Sequence, residues 1–146
     1  MLQAVGVPLT FDDGIDALDE AECRTLIGTG GVGRVAVSIG AVPAVFPVNY
    51  GVLDGDIVFR TGAGTKLDAA VRRSVVAFEV DDVDLGTHQG WSVLVVGMAD
   101  EIRDPAVLAR AELLAIRPWA RGSRHHVVAV RPQVVTGRRI APAQPG

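Results

Sequence analysis

The feature that most constrains this chain is the alternation of apolar and polar residues in short, valine-rich runs. In "RVAVSIG", residues 34–40, three β-branched side chains occupy every second position. This is the period of a half-buried strand. Valine supplies 24 of the 146 residues, and aromatic residues only 5%. We therefore predict a strand-rich domain with a mostly aliphatic core.

Turn signals separate the predicted strands. Asp54-Gly55 divides "AVFPVNYGVL" from "DIVFRTG" and predicts a two-residue hairpin. The runs "SVVAFEVDD" and "WSVLVVGMADEI" predict two more strands, and 125–140 predicts a strand pair or one long strand bent near Pro132. Six strands with short connections favour a small antiparallel barrel over a doubly wound parallel sheet.

Capping residues predict the N-terminal ends of three short helices. Asp19 with Glu22 forms a capping box for a helix over 20–28. Thr65 would cap a helix over 66–73, and Asp104, placed before a proline, would cap one over 105–116. We assign 1–17 to an N-terminal arm, 18–141 to the barrel domain and 142–146 to a flexible tail.

Bulk properties exclude several classes of protein. A net charge of -3 argues against a general nucleic-acid binder. A single cysteine, Cys23, rules out an intrachain disulfide and fits a reducing compartment. No signal peptide or membrane-spanning run is visible, so we expect a soluble cytoplasmic protein with no membrane partner. The positive mean hydropathy of +0.32 hints at apolar surface buried against another subunit.

The segment "GTGGVG", Gly28 to Gly33, matches a dinucleotide-binding fingerprint only formally. That fingerprint needs a strand before it and a helix after it, so that the pyrophosphate meets the helix N-terminus. Here the helix comes first and the strand second. We interpret these glycines as a helix C-cap and turn.

The segment "FRTGAGTKLDAA", residues 59–70, brings together groups that bind phosphate. Arg60 and Lys66 offer positive charge, and Thr61 and Thr65 offer hydroxyl donors at the start of a helix. The order of Thr65 and Lys66 does not match a P-loop. The alternative, a capped helix with solvated basic residues, stays open on these residues alone.

The neighbouring "PVNY" adds a second half to this candidate site. The hairpin would bring Asn49 close to Arg60. A flat heterocycle along strand 45–50 could then bond to backbone groups near Val48 and Asn49 while its phosphate reaches the loop over 60–66. An edge residue satisfying only the backbone is the alternative for Asn49.

The ordered set of segments now resembles a known family. The segments that carry the resemblance are "GVGRVAVS", "PVNYGVLDGDIVFRTGAGTKLDAAVRR", "GWSVLVVGMADEI" and "TGRR". Together they are similar to the pyridoxamine 5'-phosphate oxidase-like, FMN-binding split-barrel family, above all its short actinobacterial and nitroimidazole-reductase-type members. The resemblance spans roughly residues 18–140.

The resemblance implies a six-stranded antiparallel split barrel that is a homodimer, with FMN at the subunit interface, and acts as an oxidoreductase on a small molecule. The residues that it implicates in cofactor binding are Val48, Asn49, Tyr50, Arg60, Thr61, Thr65, Lys66, Trp91 and Ser92. It assigns no catalytic side chain and no metal. Trp91 and Ser92 would lie near the flavin or the dimer seam.

The departures from the family pattern leave alternatives. The arginine–histidine signature that grips pyridoxal phosphate is absent from "RPWARGSRHHVVAVRP", so oxidation of pyridoxamine phosphate itself is doubtful. A deazaflavin is the alternative cofactor, although the net charge of -3 leans to FMN. A flavin- or haem-binding module without turnover is the alternative function, and an emptied barrel is a third.

The three histidines and Trp119 stay open as active-site residues. His125 and His126 are adjacent on a strand and point to opposite faces, so they cannot share one metal ion from one face. His88 lies in a loop and is more simply explained as an exposed residue. Trp119 could cover a partner's flavin or anchor the helix before it.

Overall fold

The computed structural model describes residues 16–118, 121–122 and 124–140. Within them lie seven strands and three helices, in the order β1 (Asp16–Leu18), α1 (Glu20–Ile27), β2 (Gly31–Ile39), β3 (Val42–Leu53), β4 (Asp56–Gly62), α2 (Lys66–Ala70), β5 (Ser74–Asp84), β6 (Gln89–Glu101), α3 (Pro105–Glu112) and β7 (His125–Ile140). No described helix has the length and apolar character needed to cross a membrane.

The sheet closes on itself as an antiparallel barrel. Its strand order is β1-β7-β4-β3-β2-β5-β6, and β6 also pairs with β7. Six strands, β2 to β7, therefore form a closed ring, as predicted. The seventh strand, β1, pairs only with the end of β7 and lies across the predicted boundary between arm and barrel.

The long strand β7 joins the two sides of the ring. It pairs with β4 from His125 to Val130 and with β6 from Val128 to Ile140, with an irregularity between Val96 and Gly97. Pro132 lies opposite Gly97 at this irregularity, where a missing N–H costs least. Of the two predicted forms of this segment, one long bent strand is confirmed.

The barrel core is aliphatic, as the composition predicts. Alternate residues of β2, including Val35 and Val37, point inward, and the ring of Tyr50 meets that of Phe78 edge-on at 4.8 Å between centroids. Helix α1 closes one end of the barrel with buried Cys23. A smaller second core lies between α3 and the outer faces of β4 and β7.

The helix starts are as predicted, but two helices end early. The capping box of α1 and the caps at Thr65 and Asp104 are all present. Helix α2 ends at Ala70 and α3 at Glu112, not at 73 and 116. Left-handed residues follow each end, Arg73 at φ 47° and Ala115 at φ 51°, which a helix cannot contain.

The glycine segment after α1 forms a turn, as predicted. Gly28 is the C-cap of α1, and Gly30 and Gly31 have φ of 72° and 120°. These angles turn the chain from the helix into β2, and only glycine adopts them without strain. The remainder of the predicted arm, the tail and Trp119 lie outside the described residues.

We predict that Gly97→Ala strongly destabilises the barrel. A Cβ here would collide with the carbonyl oxygen of Arg131 and lie 2.8 Å from its carbonyl carbon, and backbone atoms cannot move aside cheaply. The expected loss in the free energy of unfolding is about 2 kcal/mol or more. Urea denaturation measures it. Gly86→Ala is the control, since its Cβ would meet only the Asp84 side chain at 3.2 Å; equal midpoints for the two variants would contradict the prediction.

Candidate functional site

The barrel is split where β3 and β4 separate. Their pairing stops at Tyr50 and Phe59, after which β4 pairs only with β7. From Val42 to Asn49, β3 has β2 on one side and no described strand on the other. The backbone groups on that open side are therefore available to a ligand or to another chain.

The end of α3 and the segment that follows it cover part of this opening. The Asn49 side-chain amide donates to the Arg117 carbonyl oxygen at 2.9 Å, and Arg60 forms an ion pair with Glu112, the last residue of α3. Asn49 and Arg60 thus both border the opening, and each side chain already has a partner within the chain.

Val48 and Tyr50 point into the barrel core. Val48 is buried, and the Tyr50 hydroxyl donates to the Ile27 carbonyl oxygen at 2.8 Å. Burial raises the pKa of Tyr50 to about 12, so this phenol is neutral and serves as a fixed donor to α1. Only the backbone of these two residues can contact a ligand in the opening.

The hydroxyls of the two threonines in the predicted phosphate loop form hydrogen bonds within the chain. Thr61 is 2% exposed, and its hydroxyl donates to Asp68 Oδ1 at 2.7 Å. The Thr65 hydroxyl donates to the Gly62 carbonyl oxygen at 2.8 Å and accepts from the Asp68 N–H. Thr61 therefore supports the loop from behind, and this packing does not favour a direct contact between Thr61 and a phosphate.

The two basic residues of the loop lie on different surfaces from Thr61. Arg60 points outward from β4, whereas Thr61 points into the barrel, because successive residues of a strand face opposite sides. Lys66, the only lysine in the sequence, is exposed at the start of α2 and forms no ion pair with any residue in the described ranges. The four predicted residues thus do not form one continuous cradle, and their role in binding stays a prediction.

Sequence reasoning missed the polar cluster beneath the loop. Asp68 is 3% exposed and lies 2.8 Å from His126 Nδ1, and His126 Nε2 lies 3.3 Å from Glu101 Oε1. Burial would raise the pKa of Asp68, but hydrogen bonds from His126, Thr61 and the Gly64 N–H outweigh it and lower that pKa. The position of Asp68 in the sequence suggests only one role, a favourable interaction with the dipole of α2 from its first turn.

Trp91 and Ser92 lie far from the loop within one chain. Trp91 pairs with Arg139 near the end of β7, whereas Thr61 pairs with His126 near its start, thirteen residues away. Trp91 lines a shallow surface pocket with Arg139 and Ile140. One ligand could touch both regions only if they came from two different subunits.

The histidines occupy three different environments. His88 is exposed in the turn between β5 and β6, with a left-handed φ of 57°. His126 joins the Asp68 cluster, and its neighbour His125 lies on the other face of β7. In the described part of the chain, no group of three or more His, Cys, Asp or Glu residues has a geometry that could hold a metal ion.

A second cluster of charge lies on the outer face of the sheet. Arg34 of β2 contacts Glu79 and Asp81 of β5 at 3.4 and 3.5 Å. Partial burial, and then the adjacent Asp81 carboxylate, raise the pKa of Glu79 to about 7, and Arg34 offsets only part of this. At this acidic end of β5, Asp82 and Asp84 are therefore exposed, whereas Glu79 is half-buried.

With this geometry in place, comparison with known proteins identifies the family. The family model for pyridoxamine 5'-phosphate oxidase matches residues 19–139. The chain belongs to the pyridoxamine 5'-phosphate oxidase-like split-barrel family, as the sequence resemblance indicated.

Three mycobacterial and corynebacterial proteins illustrate the similarity. The uncharacterized protein Rv0080 of Mycobacterium tuberculosis is 42% identical over 128 residues, 84% of each chain. The FAD binding protein of Mycobacterium smegmatis is 37% identical with a TM-score of 0.76, covering 87% of this chain and 99% of that one. The conserved protein DIP1874 of Corynebacterium diphtheriae is 28% identical with a TM-score of 0.73, covering 88% and 100%.

We predict that Glu79 makes stability fall between pH 5 and pH 8. Its pKa is raised on folding, so the folded chain holds this proton more tightly than the unfolded chain does. The resulting stabilisation is complete below about pH 4.5 and is lost as the pH rises through about 7. Wild type should therefore lose stability relative to Glu79→Gln across this range in urea denaturation at each pH.

Glu20→Gln is the matched control for this titration. It removes the same charge from the exposed surface of α1, where Glu20 pairs with Arg24. A difference between wild type and Glu79→Gln that stays constant from pH 5 to pH 8 would show that Glu79 is not the titrating group.

Proposed function

We propose that this chain binds a flavin nucleotide, FMN, in the opening between β3 and β4 and acts as a flavin-dependent oxidoreductase. The observation that carries the proposal is the side of β3 from Val42 to Asn49 that pairs with no other strand in the described part of the chain, bordered by Arg60. A planar ring system that accepts and donates hydrogen bonds at its edge matches such a strand. The name of the 37% identical M. smegmatis protein, which binds FAD, supports a flavin here.

Different residues at the opening contact the ring and the phosphate of the flavin. The backbone of Val48 and Asn49 holds the ring edge, while Lys66 and Arg60 attract the phosphate. The Arg60 guanidinium already binds the Glu112 carboxylate, and its fork geometry suits phosphate equally well. A bound flavin supplies hydride or single-electron transfer, and the protein positions it and shapes the pocket above it.

The substrate is a small molecule other than pyridoxamine phosphate. The segment "RPWARGSRHHVVAVRP" lacks the arginine–histidine signature by which the vitamin-pathway oxidase grips that substrate. A module that holds flavin without turnover is the second candidate function. Steady reduction of bound flavin by NADH or NADPH separates the two, because a module without turnover would bind flavin and never cycle.

We further propose that the functional unit is a homodimer with the flavin at its interface. The outer-face patch, which we define as Ala36, Val45, Val75, Ala77 and Met98, lies across β3, β2, β5 and β6. Val45 is 63% exposed and Val75 49%. Contiguous apolar surface of this kind favours association. A second subunit is also the means by which Trp91 and Ser92 could approach a flavin held at Lys66.

Lys66→Ala is predicted to weaken FMN binding by about tenfold to a hundredfold, as expected for loss of a charge-assisted contact. Folding should not change, because the Lys66 side chain is exposed. Flavin fluorescence titration measures the affinity, and thermal denaturation checks the fold. FAD and a deazaflavin are titrated in parallel, which tests the choice of FMN.

Arg24→Ala is the control for this experiment. It removes one positive charge from α1, at the opposite end of the barrel, and should leave FMN affinity within about twofold. Equal affinities for wild type and Lys66→Ala would remove Lys66 from the site. A colourless wild-type protein that binds none of the three cofactors would overturn the proposed function.

Val45→Asp is predicted to convert the dimer into monomers, because it places a charge in the outer-face patch. Sedimentation velocity measures the mass at several concentrations. Leu85→Asp is the matched control, since Leu85 is 83% exposed in the turn between β5 and β6, outside the patch. A dimer that survives Val45→Asp but not Leu85→Asp would place the interface elsewhere.

A further inference from the structure

We propose that Asp68 and His126 are positioning residues that hold the loop over 62–66 in the shape that presents Lys66. The inference rests on the proposed function insofar as Lys66 meets a flavin phosphate. The geometry of the loop itself does not depend on it.

The Asp68 carboxylate contacts four parts of the fold. Oδ1 accepts from the Thr61 hydroxyl on β4 at 2.7 Å, and Oδ2 accepts from the Gly64 N–H in the loop at 3.1 Å. His126 on β7 approaches Oδ1, and Arg72 after α2 lies 3.4 Å from Oδ2. Because Asp68 also belongs to α2, its carboxylate sets how strand, loop and helix sit together.

His126 connects this carboxylate to a second one. Its Nδ1 lies 2.8 Å from Asp68 and its Nε2 3.3 Å from Glu101 at the end of β6. The two ring nitrogens thus face two carboxylates, and the imidazole joins α2 to the end of β6. The other charged groups at this cluster are Arg72, 3.4 Å from Nδ1, and Arg103, 2.9 Å from Glu101.

Loss of the His126 imidazole has a direct consequence for the loop. Asp68 would keep its hydrogen bonds to Thr61 and Gly64 and its contact with Arg72, but the contact between α2 and β7 would be lost. The loop would then be held less firmly, so that Lys66 would be presented less precisely to an anion.

The first experiment measures FMN affinity at one pH for wild type, His126→Gln and His125→Gln. We expect His126→Gln to bind FMN about tenfold more weakly than wild type. His125→Gln, altered on the other face of β7, should keep the wild-type affinity within about twofold. The difference between the two variants isolates the effect of His126.

The second experiment needs no flavin. Amide exchange of Gly64, corrected for the intrinsic pH dependence, reports its bond to Asp68, and ¹³C-methylation of the single lysine reports the environment of Lys66 by NMR. Reduced protection at Gly64 and a shifted Lys66 signal are expected in His126→Gln. Asp68→Asn should lower Gly64 protection further, provided that its near-native far-UV spectrum shows it folded.

The outcomes separate the two proposals. Wild type that binds no FMN, yet loses Gly64 protection in His126→Gln, would end the proposed function and retain the positioning role. Wild type that binds FMN, with His126→Gln matching it in FMN affinity and in Gly64 protection, would overturn the positioning role alone.

Discussion

The whole architecture depends on the double pairing of β7. This strand pairs with β4 from His125 to Val130 and with β6 from Val128 to Ile140, and without it β2 to β6 would form an open sheet with two exposed edges. The irregularity at Gly97 lets β7 bend enough to serve both neighbours. Because β7 pairs with both β4 and β6, the sheet closes around a continuous, valine-rich core.

The same closure creates the opening at the candidate site. From Arg60 to Gly62, β4 pairs with β7 and no longer with β3, so β3 is left with one free side. The opening is therefore built into the strand order, and the covering segment after α3 only borders it. A family built on this ring can vary what enters the opening while keeping its core.

Local features were predictable from the sequence, and distant pairings were not. The caps at Asp19 and Thr65 and the Asp54-Gly55 turn depend on neighbouring residues, and all three were predicted correctly. The contact between Asp68 and His126 joins positions 58 residues apart, which no local pattern records. In contrast, Arg60 and Thr61 are neighbours on a strand, so their side chains must point to opposite faces. Assigning both side chains to one phosphate site overlooked this alternation.

The contacts of Asp68 explain how a buried carboxylate can lie beneath the loop over 62–66. A buried carboxylate without partners would be costly. Asp68 has partners, because His126 and Arg72 lie within 3.4 Å of it and the Thr61 hydroxyl and Gly64 N–H bind its oxygens. In the proposed site, the Asp68 carboxylate is thus engaged from behind the loop, and the exposed Lys66 ammonium is the charge that a phosphate would meet.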